Sequence, residues 1–312
     1  MRILVLGAGA VGGYFGGRLA AAGADVTFLV RARRAGQLAR DGLVVLSPHG
    51  DLRLAVQSVT RDTVRPDYDL AVLSCKSYDL ADAIESLRPA MGAGTLVLPL
   101  LNGVAHLEAL DEAFGRERVP GGTCHLAGTL TDSGKIMQLT TLHRIAFGAR
   151  QGNRPDTREQ LVELERAFSM TTVPAVLAEH IETELWEKFV LLATLAGMTC
   201  LMRASVGDIM RAERGRELTL AFLDTCRRIA MSEGEQLRDE FYANTVRLLT
   251  ESGSAFTASM LRDVEAGRRT ETEHVIGDMA RRARAAGIDA PLLAAAHCHL
   301  QAYEARRSRE LG

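Results

Sequence analysis

The chain has little of what marks secreted, membrane-bound or nucleic-acid-binding proteins. It contains five cysteines in 312 residues, at positions 75, 124, 200, 226 and 298, and no two of them form a Cys-x-x-Cys pair. We therefore expect reduced thiols in a cytoplasmic protein rather than a disulfide framework. The net charge is only −2, which gives no sign of a nucleic-acid surface or of a patch for anionic membranes.

Long apolar runs and common catalytic motifs are missing as well. The longest apolar run, residues 189–202, is broken by two threonines and a glycine. It falls short of the ~20 apolar residues that a membrane span needs, so we expect no membrane partner. The chain opens directly on a strand pattern, and we expect no signal peptide before it. No GxSxG or HExxH motif occurs, and His297 and His299 cannot share a helix face, so we expect no metal.

What the sequence does have is a strand–turn–helix–strand unit at its N-terminus. The first strand is residues 2–6, the helix covers about 11–22, and the second strand is 25–30. The glycine-rich turn between them consists of Gly7, Ala8, Gly9, Ala10, Val11 and Gly12. In such a unit the first glycine allows a tight turn, the second lets the backbone approach a pyrophosphate, and the third lets helix and strand pack closely. A merely structural turn is the alternative, but the strand before it and the helix after it favour a dinucleotide site.

A basic residue at the end of the second strand indicates which dinucleotide binds. Enzymes that use NAD place Asp or Glu there to hold the ribose 2′-hydroxyl, whereas enzymes that use NADP place Arg nearby to hold the 2′-phosphate. Arg31 occupies this position, and Asp25 lies at the opposite end of the strand. We therefore expect NADPH as the cofactor. Arg33 and Arg34 either assist Arg31 or belong to a solvated basic loop.

The order of the predicted elements indicates an α/β fold, with an N-terminal doubly wound Rossmann-type domain followed by an all-helical C-terminal domain. Short apolar runs alternate with helix-like segments in the first half, and the later pattern is almost wholly helical. We place an NADP-binding domain at residues 1–179 and a helical substrate-binding and dimerisation domain at 180–312. Within the first domain we expect a helix at 103–114 and edge strands at 118–128 and 135–148.

Two polar residues follow predicted strands of the parallel sheet. Lys76 comes directly after the strand that ends at Ser74, and Asn102 follows the next strand. The carboxyl ends of parallel strands form the ligand crevice of an open α/β sheet, so both residues are candidates for contact with cofactor or substrate. The alternatives are an ordinary surface lysine and, for Asn102, the N-cap of the helix expected at 103–114.

Lys188 is a candidate for proton transfer. It lies just before the apolar run of the helical half. A lysine in this setting either extends along the helix edge to reach water or projects into a cleft. In a cleft its ammonium group could donate a proton to the oxygen of a ketone that is being reduced by hydride.

Two further polar residues, Ser259 and Glu271, lie late in the helical half, in the segments Ser-Met-Leu-Arg-Asp and Gly-Arg-Arg-Thr-Glu. Glu271 could hydrogen-bond a substrate hydroxyl or position Lys188. The alternative for both is a helix cap with solvated charges. The nearby arginines at 281, 282 and 284 are expected to form a solvated helix face.

Together these segments resemble the ketopantoate reductases (2-dehydropantoate 2-reductases) over essentially the whole chain. The resemblance rests on the order and spacing of Gly-Ala-Gly-Ala-Val-Gly with Arg31, Cys-Lys-Ser with Lys76, Leu-Asn-Gly with Asn102, Glu-Leu-Trp-Glu-Lys-Phe with Lys188, and the segments of Ser259 and Glu271. It implies reduction of 2-dehydropantoate to pantoate with NADPH, a step of pantothenate biosynthesis. It also implies that Lys188 is the general acid, that Glu271 contacts substrate, and that Ser259 lies near the substrate carboxylate. Lys76 and Asn102 would line the cofactor and substrate cleft. The partner is then a small-molecule 2-oxo acid, and a homodimer is a further expectation.

Three positions depart from the family pattern. The resemblance implies asparagines one and two turns after the lysine and three residues before the serine, where this chain has Leu192, Ala196 and Phe256. Positions i+4 and i+8 share a helix face with Lys188, so we expect an apolar pocket wall there. Hydrogen-bonding groups can supply selectivity on the order of 10⁴ for a hydroxyl, so their loss opens an alternative, a paralogous reductase of a more apolar 2-oxo acid. A second alternative, a non-catalytic NADPH-binding regulator, would need neither Lys188 nor Glu271.

Overall fold

The computed structural model describes residues 1–311, which form two compact units. Unit 1 comprises residues 1–101 and 106–184, and unit 2 comprises residues 102–105 together with the chain from Leu185 onward. The sequence placed the boundary at residue 179 and put residues 102–105 in the first domain. The observed division lies between Glu184 and Leu185, inside a helix, and the short segment 102–105 groups with unit 2.

Unit 1 contains the strands and the first five α-helices of the described chain. The strands are β1 Arg2–Leu6, β2 Asp25–Leu29, β3 Leu43–Leu46, β4 Leu52–Leu54, β5 Gln57–Val59, β6 Leu70–Leu73, β7 Leu96–Pro99, β8 Gly121–Leu130, β9 Ile136–Gly148 and β10 Ala175–Leu177. The helices are α1 Ala10–Ala21, α2 Ala32–Asp41, α3 Leu80–Leu87, α4 His106–Phe114 and α5 Thr157–Ser169. Short 3₁₀ turns follow β6, α3 and α4, at Ser77–Asp79, Arg88–Ala90 and Arg116–Arg118.

The first sheet is parallel, in the order β5-β2-β1-β6-β7. All four residues of β6 and of β7 are buried, which is typical of parallel strands covered on both faces. Strand order runs outward from β1 in both directions, so the crevice for a ligand lies at the carboxyl ends of β1 and its neighbours. The predicted doubly wound domain is confirmed.

The strands predicted at the sheet edge belong instead to a second sheet, in the order β10-β9-β3-β4, with β8 paired to β9. The expectation of edge strands was wrong for β9, which pairs with β3, β8 and β10. Its partners β3 and β10 are distant along the chain, and a local pattern carries no information about such long-range pairing. Buried Ile136, Ile145 and Phe147 place β9 in the core of unit 1.

Helix α1 packs closely because its inward face is made of glycines. A Cβ atom on Gly13 would come within 2.3 Å of Ile136 Cδ1, and one on Gly17 within 2.8 Å of Leu43 Cδ2. The helix therefore lies against strands β9 and β3 of the second sheet at a distance that larger residues would forbid.

Unit 2 is helical, as predicted. Its elements are α6 Ile181–Met202, whose first turn belongs to unit 1, α7 Val206–Arg211, α8 Gly215–Ser232, α9 Asp239–Leu249, α10 Ser259–Glu265, a π-helix Glu273–Gly277, α11 Asp278–Ala285 and α12 Pro291–Leu311.

Helix α6 is long and apolar enough to cross a membrane by length and composition alone, contrary to the expectation from the broken run. Its threonines do not interrupt it, because Thr194 and Thr199 donate their hydroxyls to carbonyls of the preceding turn, at 2.8 and 2.6 Å. Of its most apolar 18-residue stretch, 72% is buried inside the structure, as in the core helix of a globular unit.

One expected surface charge is buried in unit 2. Arg282 was predicted on a solvated face, but its side chain is 9% exposed. It pairs with Asp278 at 3.0 Å and Glu233 at 2.6 Å and lies over the Trp186 ring. The arginine pattern alone could not reveal these carboxylates and the ring, which arrive from other helices and from the preceding turn.

Candidate functional site

The glycine-rich turn of unit 1 has the geometry of an anion-binding turn. Gly7 adopts a φ of +92°, which favours glycine, and its N–H donates to Leu29 O at 2.9 Å. A Cβ atom on Gly9 would meet nothing within 4 Å, so the backbone there is open to a ligand. A Cβ atom on Gly12 would lie 2.2 Å from Ser74 Oγ and 2.3 Å from Gly7 O. Helix α1 begins at Ala10 and directs its N-terminal N–H groups toward this opening, an arrangement that fits a pyrophosphate.

Arg34 supports this turn from behind. Its Nε and Nη2 atoms donate to Ala8 O at 3.2 and 2.9 Å, and Nη1 donates to Gly134 O at 2.8 Å. Burial lowers the pKa of Arg34. The solvated-loop alternative is therefore wrong for Arg34, whereas Arg33 is exposed. Arg34 therefore links the carbonyl of Ala8 in the turn to that of Gly134 between β8 and β9, which stabilises the turn's shape.

Arg31 lies two residues after the end of β2 and is paired with two carboxylates. Its Nη2 donates to Asp82 Oδ2 at 2.7 Å and lies 3.6 Å from Asp79 Oδ1. The hydrogen bond to Asp82, with the charge of Asp79, raises the pKa of Arg31. Lys76 is exposed and precedes the 3₁₀ turn Ser77–Asp79, at the carboxyl end of β6. Acidic partners of Arg31 were not anticipated from the sequence.

In unit 2, three predicted site residues meet at one small cavity of about 10 Å³, enough for about one water molecule. Its polar lining comprises Asn102, Ser259, Asp263 and Glu271, and its apolar lining comprises Leu192, Met260 and Val275. Ser259 is the first residue of α10, whose N-cap is Ala258, so the helix-cap alternative is wrong for this serine.

Glu271 is buried, with 8% of its surface exposed, so the alternative of a solvated charge is wrong. The residue before it is tightly held: Thr270 donates its N–H and its hydroxyl to Glu304 Oε1, each at 2.7 Å. The π-helix Glu273–Gly277 follows, a distortion that is frequent at functional sites. Glu304 lies on α12, and no signal in the sequence connected it with Glu271.

The segment around Asn102 is fastened within unit 2. Gly103 adopts a φ of +74°, and α4 begins only at His106. The expected helix start at 103 and the N-cap alternative for Asn102 were therefore wrong, because left-handed backbone interrupts the helix. The His274 ring hydrogen-bonds the Asn102 backbone, and burial lowers the pKa of His274 while the Glu271 charge opposes that shift. His274 is a further residue that sequence reasoning missed.

Lys188 lies on α6, partly buried, one turn before the cavity-lining Leu192. Its neighbour Glu187 is buried and accepts hydrogen bonds from the backbone and side chain of Arg238. Of the three apolar positions noted in the sequence, only Leu192 lines the cavity. Ala196 is fully buried, and Phe256 is 37% exposed.

The described part of the chain contains no cluster of side chains suited to bind a metal ion. Within residues 1–311, no group of three or more His, Cys, Asp or Glu side chains is arranged to hold a metal ion. Unit 1 presents an anion-binding turn, and unit 2 contains a small cavity lined by polar and apolar side chains.

Comparison with known proteins identifies the family. The model "Ketopantoate reductase PanE/ApbA" matches residues 3–152, and "Ketopantoate reductase PanE/ApbA C terminal" matches residues 180–304. An uncharacterized oxidoreductase, YkpB, of Bacillus subtilis (strain 168) is 34% identical over 98% of this chain and 100% of its own.

Two solved structures share the fold. The 2-dehydropantoate 2-reductase from Geobacter metallireducens GS-15 has a TM-score of 0.85 at 27% identity, covering 96% of this chain and 99% of its own. The ternary structure of D-mandelate dehydrogenase with NADH and anilino(oxo)acetate has a TM-score of 0.85 at 20% identity, covering 99% of both chains. The resemblance noted in the sequence is confirmed: the chain belongs to the ketopantoate reductase family of oxidoreductases.

Proposed function

We propose that this protein is a cytoplasmic enzyme that reduces a 2-oxo acid with NADPH, converting 2-dehydropantoate to pantoate in pantothenate biosynthesis. The observation that carries the proposal is the cavity of unit 2, where Asn102, Ser259 and Glu271 meet. A carboxylate, a hydroxyl and an amide that face one space supply hydrogen-bond partners for the hydroxyl and carboxylate of a small 2-oxo acid, and this space of about 10 Å³ would have to widen to admit it.

The cofactor would be held by unit 1. The open backbone at Gly9 and the N-terminus of α1 fit the pyrophosphate, and Arg31 would pair with the 2′-phosphate. Lys76, exposed at the carboxyl end of β6, would supply a further positive charge. The bound nicotinamide supplies the hydride that reduces the keto group.

Residues of the chain would supply the proton and orient the substrate. Lys188 would donate a proton to the keto oxygen as negative charge develops there. The buried Glu271 carboxylate would accept a hydrogen bond from a substrate hydroxyl, and the Ser259 hydroxyl would donate to the substrate carboxylate. Asn102, whose backbone is fixed by His274, would present its amide to substrate or cofactor.

The experiment is NADPH oxidation with 2-dehydropantoate for the unmodified protein and for Lys188→Ala. Loss of a positioned general acid lowers kcat by about 10²–10⁴-fold, while the Kd for NADPH stays unchanged. Lys135→Ala is the matched control, because Lys135 is an exposed lysine one residue before β9, and this variant should retain full kcat. Near-normal kcat in Lys188→Ala would refute the proposed role of Lys188, and no turnover of 2-dehydropantoate by the unmodified protein would remove that substrate.

A second candidate substrate is a more apolar 2-oxo acid. Leu192, Met260 and Val275 line the same cavity as the polar residues, so part of its wall offers no hydrogen bond. The test compares kcat/KM for 2-dehydropantoate with kcat/KM for branched-chain and aromatic 2-oxo acids that lack the hydroxyl. A preference for the hydroxyl-free acids supports this candidate, and a preference for 2-dehydropantoate contradicts it.

Two further expectations complete the proposal. Tight NADPH binding without turnover of any 2-oxo acid would favour the non-catalytic regulator over an enzyme. We also expect the protein to form a homodimer, which light scattering on the purified protein measures directly.

A further inference from the structure

The ion pair of Arg31 occupies the position where a dinucleotide site distinguishes NADH from NADPH. Arg31 follows β2, Asp79 ends the 3₁₀ turn after β6, and Asp82 lies in the first turn of α3. All three side chains are well exposed, with 74% of Arg31, 42% of Asp79 and 56% of Asp82 accessible to solvent. The carboxylates therefore remain able to exchange partners when a ligand arrives.

The topology places this ion pair across the mouth of the glycine-rich turn. Strand β1 lies between β2 and β6, and the turn that begins at Gly7 follows β1. Arg31 extends from one flanking strand, and the two aspartates come from the segment after the other. A dinucleotide whose pyrophosphate lies on the turn would therefore place its adenosine ribose near these three charges.

The two kinds of charge select different cofactors. A carboxylate in this region accepts a hydrogen bond from the ribose 2′-hydroxyl of NADH, and a guanidinium binds the 2′-phosphate of NADPH. Here one nitrogen of Arg31 lies 2.7 Å from Asp82 Oδ2, so both groups are present at once. A 2′-phosphate that pairs with Arg31 must displace Asp82 from it. The phosphate then lies close to the Asp82 carboxylate, and the two negative charges repel each other.

We propose that Asp82 is a specificity-determining residue that allows the site to bind both NADH and NADPH. Its carboxylate accepts a hydrogen bond from the 2′-hydroxyl of NADH and competes with the 2′-phosphate of NADPH for Arg31. The inference rests on the proposed function, because it assumes that a dinucleotide binds at the turn. Asp82 makes the affinity for NADPH exceed that for NADH by less than Arg31 alone would. Asp79, at 3.6 Å from Arg31, adds to the repulsion without a short hydrogen bond.

The test measures the Kd of NADPH and of NADH for the full chain and four variants, at low and at high salt. Asp82→Asn removes the negative charge and keeps an oxygen acceptor, whereas Asp82→Ala removes both. Arg31→Ala removes the phosphate-binding group. Glu85→Gln is the matched control, because Glu85 lies one turn later on α3 and pairs with an arginine, Arg88, at 2.7 Å.

The expected results differ between variants. Asp82→Asn raises the ratio of NADPH affinity to NADH affinity by about three- to five-fold at low salt, the size typical of exposed charge pairs, and by less at high salt. Asp82→Ala also weakens NADH by about ten-fold, because the hydroxyl loses its charged acceptor. Arg31→Ala weakens NADPH and leaves NADH nearly unchanged, and Glu85→Gln changes neither.

Three outcomes would overturn the inference: an equal ratio in Asp82→Asn and Glu85→Gln, unchanged NADH binding in Asp82→Ala, or an equal loss of both cofactors in Arg31→Ala. Failure of the proposed function looks different. If the unmodified protein binds the cofactors but turns over no 2-oxo acid, the proposed function is refuted and the affinity ratios still decide the inference. If it binds neither NADPH nor NADH, both are refuted.

Discussion

The second and third glycines of the turn, Gly9 and Gly12, have different roles: Gly12 permits folding and Gly9 permits binding. In Gly12→Ala the new Cβ atom meets Ser74 Oγ at 2.2 Å and Gly7 O at 2.3 Å. The serine hydroxyl could rotate away only by giving up its 3.0 Å hydrogen bond to Leu6 O, and the carbonyl belongs to the left-handed Gly7. In Gly9→Ala the new Cβ atom meets nothing within 4 Å.

The magnitudes follow from these contacts. Overpacking of this kind costs about 1–3 kcal/mol of unfolding free energy, so Gly12→Ala should lower the Tm of unit 1 by about 3–10 °C. Gly9 is the N-cap of α1, where alanine is a poorer residue, so Gly9→Ala should cost under about 1 kcal/mol. Its Cβ atom would nevertheless project into the space proposed for the pyrophosphate. We expect Gly9→Ala to weaken NADPH by about ten-fold or more, equivalent to about 1.4 kcal/mol.

The assay combines thermal unfolding, followed by circular dichroism, with titration of NADPH fluorescence. Ser74→Ala combined with Gly12→Ala is informative, because it removes the contact with Oγ and leaves the contact with the Gly7 carbonyl. The double variant should recover only part of the lost Tm. Two results would refute the reasoning: a Gly12→Ala variant as stable as the unmodified protein, or a Gly9→Ala variant that binds NADPH with unchanged Kd.

Two further predictions concern stability. Glu304→Ala leaves the N–H and hydroxyl of the buried Thr270 without their acceptor and should lower the unfolding free energy by about 2–3 kcal/mol. Glu304→Gln keeps an oxygen acceptor and should lose clearly less in urea unfolding, so equal losses would contradict the assignment. Burial, then the charges of His49 and Arg18, lower the pKa of His143, whose Nδ1 pairs with Tyr14 Oη at 2.7 Å. Folding therefore favours neutral His143, so its contribution is fully present above the unfolded pKa of about 6.5 and falls as pH drops through that value toward the folded pKa. Unfolding curves between pH 7.5 and 5.5 should converge for the unmodified protein and His143→Gln, and parallel curves would exclude this linkage.

The parts of the fold that sequence could predict are those with local signals. The apolar runs of β1, β6 and β7 identified a parallel sheet, and the helical period identified the second half of the chain. The second sheet was not predictable in the same way. Strand β9 reads locally like an edge strand, and only its pairing with β3 and β10, far away along the chain, makes it central.

The candidate site divides along the same line. Asn102, Ser259 and Glu271 were identified by motif, and the structure brings all three to one cavity. The groups that hold them, Glu304 behind Thr270 and His274 beside Asn102, come from other turns and helices and carry no motif. The assignment of Lys188 as proton donor stays a prediction.

The segment 102–105 determines whether the chain can be divided into two active fragments and when the surroundings of Asn102 form during synthesis. It belongs to unit 2, although the residues on both sides of it belong to unit 1. A fragment that stops at Glu184 would carry these four residues without Glu271 and His274, and a fragment that starts at Leu185 would lack Asn102 altogether. During synthesis, unit 1 can fold as soon as it emerges, but the surroundings of Asn102 are completed only when the C-terminal helices follow. The activity should therefore be recoverable from the intact chain and not from either half expressed alone.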